Sequence, residues 1–168
     1  MLRCRFFDKI FPQGDYNDSN TWVSIASPAE VQILQVSKDQ CTAKFGIRRP
    51  SYYPSSRVKK YEPFPEVLPV LAWGYGRTPC FRHRTYALLA VSWGALIQII
   101  ILVPDEEKGS DSNDFRLDGH YFVWHGNSFD NIEGTGIIRD VRVEFMEFLS
   151  ESILLVYLSN KDIRVLHT

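Results

Sequence analysis

Residues 86–103 read YALLAVSWGALIQIIILV, an uncharged run on whose interpretation the fold of the whole chain depends. Its length suits one helix across a bilayer. Arg82, His83 and Arg84 before it, with Asp105, Glu106 and Glu107 after it, supply the flanking asymmetry of a single-pass span. The interior favours strands. Ser92, Trp93, Gly94 and Gln98 interrupt the run, and its second half is rich in β-branched isoleucine, which suits a pleated strand better than a helix interior. Two buried strands joined by a tight turn near Trp93-Gly94 fit the same residues.

The same local design occurs on either side. Residues 21–36 read TWVSIASPAEVQILQV, residues 88–102 read LLAVSWGALIQIIIL, and residues 153–166 read ILLVYLSNKDIRVL. In each, an apolar run enters a short turn and an alternating strand returns, through Val31-Ile33-Leu34, Ile97-Ile99-Ile100 and Ile163-Val165-Leu166. Alignment on Pro28, Gly94 and Asn160 superimposes the three hairpins at one offset of 66 residues. A fixed period is weighed before other signals. A lone span in the middle copy would leave the outer two unexplained.

Further strands are expected between the hairpins. Candidates are residues 41–47, residues 67–73 ahead of a Gly74-Tyr75-Gly76 turn, residues 120–124, and residues 137–147, where Val141, Val143 and Phe145 alternate with Asp140, Arg142 and Glu144. Polar breaks at about 51–65 and 104–118 read as surface loops. Residues 1–20 read as an N-terminal segment and 21–168 as the repeating unit. Many short strands with turn signals predict an all-β chain, a partial WD40-like β-propeller of about three degenerate blades. Three units fall short of the four blades that a closed propeller needs, so the expectation is a segment of one.

Composition excludes several function classes. Lys plus Arg number 19 against 20 Asp plus Glu, and a net charge of −1 gives no electrostatic pull on nucleic acid. Three cysteines at wide spacing, Cys4, Cys41 and Cys80, do not make a disulfide framework and suggest a reducing compartment. Asp8 and Lys9 stand where a secretory signal needs its apolar core. Catalytic and metal signals are weak. Cys80 and His83 lack a second ligand pair, and His120 and His125 bracket a strand as end or surface residues. The Gly74-Gly76 and Gly134-Gly136 pairs precede no helix that could hold a phosphate. Asp15, Asn17 and Ser19 open like a calcium loop, but its twelfth position is Ala26. The expectation is a non-enzymatic chain without cofactor or metal.

Trp73-Gly74 and Trp93-Gly94 place a large ring at a strand end, where it can cover a β-core while glycine takes the turn. Trp73 and Trp93 are also the candidate binding anchors. With them go the basic residues Arg48, Arg49, Lys59 and Lys60, which could meet acidic partners or lipid head groups.

The succession of residues 24–34, Arg48-Arg49-Pro50, Val70-Leu71-Ala72-Trp73, Leu89-Ala90-Val91-Ser92-Trp93-Gly94 and residues 145–154 leading into Asp162-Ile163-Arg164-Val165-Leu166 resembles a known family. It is similar to the middle of the N-terminal WD40-like propeller of the vacuolar protein sorting-associated protein 8 family, a subunit of the CORVET endosomal tethering complex. The resemblance runs from about Thr21 to the end and rests on strand and turn spacing. It implies an interaction module in endosome-to-vacuole or lysosome transport, cytoplasmic and peripheral on endosome or vacuole membranes through its partners. Those partners would be tethering-complex subunits and an endosomal Rab GTPase. The family's α-solenoid and RING-type zinc region have no counterpart here. Two other readings stay open: a small single-pass membrane protein with a span near 86–103, and a small β-sandwich that binds a ligand.

Overall fold

The structure, a computed structural model, describes residues 3–7, 21–36, 40–50, 68–77, 85–94, 96–104, 115–125, 129–131 and 138–168. Every regular element among them is a strand. The chain runs β1 (Arg3–Phe7), β2 (Thr21–Ala26), β3 (Glu30–Val36), β4 (Cys41–Arg48), β5 (Val70–Arg77), β6 (Thr85–Trp93), β7 (Leu96–Pro104) and β8 (Phe115–His125). It continues with β9 (Phe129–Asn131), β10 (Ile138–Asp140), β11 (Val143–Ser150), β12 (Ile153–Leu158) and β13 (Ile163–His167). These form three open antiparallel meanders, β1-β2-β3-β4, β5-β6-β7-β8 and β11-β12-β13, with a separate β9-β10 pair.

The run at 86–103 is a hairpin. β6 and β7 pair antiparallel from Ala87 with Leu102 to Trp93 with Leu96, and Gly94 turns the chain at φ 69°. A side chain there would be strained, so glycine suits the site. Among the described residues no helix is long and apolar enough to cross a membrane, and the single-pass reading is corrected accordingly. The run is continuously apolar for another reason. Ala87, Leu89, Val91 and Trp93 face one core, shared with Trp22, Ala26, Val31, Ile33 and Ile47 of the first sheet. Leu88, Ala90, Ile97 and Ile99 face a second, shared with Met146, Leu154, Val156 and Leu158 of the third. The middle sheet is thus covered on both sides, so neither face needs polar side chains. Three stacked layers also differ from a two-sheet sandwich, in which each sheet keeps a solvated face.

The repeat is visible in the pairing. Ala26 pairs with Val31 and Ser92 with Ile97, so the first two hairpins match at 66 residues in both strands. In the third, Tyr157 pairs with Ile163. The returning strand keeps the offset of 66, while β12 sits at 65 (157 − 92) because its turn holds one extra residue. That turn is closed by Lys161 at φ 75° and by the Asp162 N–H, which donates to Asn160 Oδ1 at 3.1 Å. The single offset expected from the sequence therefore holds for five of the six strands.

Other boundaries move. β1 pairs with β2 along its full length, so residues 3–7 belong to the first sheet and not to a separate N-terminal segment. Gly74 lies inside β5 opposite Leu88 and is not in a turn. β8 begins at Phe115, inside the stretch expected to be loop. The strand expected at 137–147 divides into β10 and β11. Residues 51–65 lie outside the described residues, as do 105–114.

The buried Ser92, Trp93 and Gln98 of the middle sheet are hydrogen-bonded. Ser92 Oγ accepts from the Val70 N–H at 3.0 Å, and the Trp93 indole N–H donates to Gln98 Oε1 at 3.0 Å. Gln98 is buried between the first two sheets and is the acceptor that holds that ring. Replacing Gln98 with leucine is expected to cost about 1–3 kcal/mol, since the buried indole N–H loses this partner. A shift of the urea midpoint at unchanged slope is the readout.

Candidate functional site

Three surface features can be compared on the described residues. The first is the set of tryptophans and basic residues singled out from the sequence. Trp93 is 4% exposed and packs in the core between the first and middle sheets, so it cannot serve as a surface anchor. Trp73 is half-buried against the same core, and its indole N–H donates to Ser24 Oγ on the facing sheet at 3.0 Å. Both rings join sheets to one another. Arg48 is exposed at the end of β4, while Arg49 is half-buried and its backbone N–H donates to Ala29 O at 2.8 Å. Lys59 and Lys60 lie outside the described residues, as do Cys80, His83, the Gly134-Gly136 pair and the 15–19 stretch. The structure does not gather these positions into one site.

The second is a groove of about 290 Å³ between β4 and β8, lined by Arg48, Leu117, His120 and Phe122 among others. His120 is in the middle of β8, not at a strand end, and its ring meets Phe122 edge-on with centroids 6.1 Å apart. The groove brings one cation and one imidazole to an apolar cleft. Among the described residues no group of three or more His, Cys, Asp or Glu could hold a metal ion.

The third is the outer face of the third sheet. Paired residues on neighbouring antiparallel strands share a face. Phe145, Tyr157 and Ile163 therefore form one cross-strand row, and Glu147, Leu155 and Val165 the next. Ile163 is 65% exposed, Val165 57% and Leu149 58%. On the opposite face Met146, Leu154 and Val156 are buried against the middle sheet. Lys161 lies at the rim, with Nζ 5.5 Å from the Tyr157 centroid and 3.7 Å from Glu144 Oε2. An exposed ion pair of this kind adds at most about 1 kcal/mol, so it marks a wet border and does not hold the face together.

The repeat makes this face informative. Val31 and Ile33, then Ile97 and Ile99, then Ile163 and Val165 occupy matching positions 66 residues apart. The first two pairs are 0% exposed, each covered by the next sheet. The third pair meets no sheet among the described residues. Sequence reasoning identified these residues as strand positions but not as a surface, because exposure depends on the neighbouring layer and not on the local pattern.

Tyr86, Tyr121 and Glu151 gather where the middle and third sheets meet. Burial first, and Glu151 second, raise the Tyr86 pKa above its usual 10.0; burial and then Tyr86 raise that of Tyr121. The folded state thus holds these phenolic protons more tightly than the unfolded chain does. The stability that these two phenols contribute is expected to be steady below about pH 10 and to fall as pH rises through the raised folded values. Tyr86→Phe should flatten that decline in urea titrations across the alkaline range. No family model matches the chain, and no curated protein or solved structure does so either.

Proposed function

We propose that the chain is a non-enzymatic protein-interaction module built as three successive blades of a WD40-like propeller. The observation that carries this reading is the stack itself. Successive meanders repeat one hairpin, in one register in the first two and with one extra turn residue in the third, and each covers the outgoing face of its predecessor. The first strands β1, β5 and β11 lie side by side, as radial stacking of blades requires. The Val143 N–H reaches across to Gly94 O at 3.2 Å, which ties the third sheet to the turn of the middle one. Such architecture offers broad sheet faces and edges to other proteins.

Within that class, the resemblance to the vacuolar protein sorting-associated protein 8 family favours a place in an endosomal tethering complex. The module would reach endosome or vacuole membranes through tethering subunits and a Rab GTPase. Affinity purification of the tagged chain from cells, scored for Rab GTPases and tethering subunits, is the test. Enrichment of both classes over a charge-matched control supports the reading, and recovery of neither refutes it.

A further inference from the structure

We infer that the two ends of the stack are complementary, and that a second copy of this chain docks its first sheet onto the outer face of the third. The argument comes from the register. The middle sheet presents Leu89, Val91, Ile100 and Leu102 to the first sheet. Subtracting the 66-residue period gives Val23, Ile25, Leu34 and Val36, all aliphatic and all on the opposite face of the first sheet from its core with the middle one. The incoming surface of the middle sheet is therefore reproduced at the start of the stack. Val23 is buried there, and Ile25, Leu34 and Val36 are half-buried.

Polar markers occupy the same register. Gln98 is buried where the middle sheet enters its interface, and its counterpart at the preceding period, Gln32, is exposed. At the far end Ile163 and Val165 are the exposed counterparts of the buried Ile97 and Ile99. The far end thus shows one half of an interface that the molecule already forms twice within itself, and the near end carries the matching residues, with Ile25, Leu34 and Val36 half-buried and Val23 covered. A face meeting a different face is a heterologous contact, which closes into a ring if the rotation allows and otherwise propagates. Two copies of three sheets give six, within the range of about 4–8 for radial sheet rings, whereas three copies would exceed it. The assembly is a closed homodimer. This step rests on the radial stacking proposed above and is independent of the tethering role.

The test is the mass in solution of the full chain, by light scattering across a dilution series. The expected mass is twice 19.4 kDa. Ile163→Glu with Val165→Glu at one end, or Gln32→Arg at the other, should each weaken association by at least about tenfold. All three positions are exposed, so the variants keep their cores, and an unchanged β-type circular dichroism spectrum checks this. An equimolar mixture of the two variants should associate more tightly than either variant alone, since the mixed pair restores one of the two head-to-tail contacts. A wild-type chain that stays monomeric at every concentration overturns the inference. So does a dimer indifferent to either variant, as it would be to Gln32→Arg if two third sheets met face to face, or a mixture that pairs no better than the variants alone. Small-angle scattering separates this failure from that of the stacking itself: a monomer with the curvature of three radial sheets leaves the stacking standing.

Discussion

At concentrations where the chain is monomeric, Ile99→Ala is expected to lower the unfolding free energy by about 2–5 kcal/mol, while Val165→Ala changes it by no more than about 0.5 kcal/mol. The two positions are one period apart and sit on the same face of the returning strand of their hairpins. Ile99 is 0% exposed between the middle and third sheets, so truncation leaves a cavity lined by side chains with little freedom to collapse. Val165 is 57% exposed and loses almost no buried surface. Ile33→Ala belongs with Ile99, because the middle sheet covers it in the same way. Urea unfolding of the three variants, fitted with a common slope, is the measurement. Equal losses at all three would mean that burial does not follow the order of the sheets.

Gly74→Ala should destabilise by about 1–3 kcal/mol through overpacking, although alanine is normally the safer residue in regular structure. A Cβ built on Gly74 would stand 2.5 Å from Phe148 Cγ and 2.6 Å from Cδ2. The ring of Phe148, carried by β11, lies directly on the β5 backbone and helps join the third sheet to the middle one. The ring is half-buried, and its inward retreat is blocked by the fully buried Met146 and Leu154. Gly74→Val should cost more than Gly74→Ala. Combining Gly74→Ala with Phe148→Leu should recover part of the loss, giving a coupling energy of about 0.5–3 kcal/mol in a double-mutant cycle. Strict additivity of the two changes would refute the contact.

Hairpins were legible in the sequence because their signals are local. Pro28, Gly94 and Asn160 mark turns, and the alternation in residues 31–34 and 163–166 marks half-buried strands. Residues 86–103 were ambiguous because alternation vanishes when a strand is covered on both faces, and a continuous apolar run then looks the same in a sheet and in a membrane. β1 was missed since five residues without turn punctuation give no period to count. Gly74 reads as turn chemistry in the sequence, whereas its role is to admit a ring from another sheet, which no local pattern encodes. Trp73 and Trp93 invited a binding interpretation for the same reason: size and strand-end placement are visible in sequence, but their partners Ser24 and Gln98 lie 49 and 5 residues away on surfaces made by stacking. The exposed apolar face at Ile163 and Val165 emerges only when the three sheets are set in order.

Burial of the middle sheet on both sides also orders the molecule in time. The amides of β6 and β7 are reached by water only when a neighbouring sheet lifts away, so their exchange reports the free energy of separating sheets and not of fraying a strand. In a single copy of the chain β13 has an open face and is the last strand of its sheet among the described residues, so local opening is expected there. Deuterium thus enters from the ends of the stack, and the stretch whose composition imitates a membrane span is the last part of the chain to meet solvent.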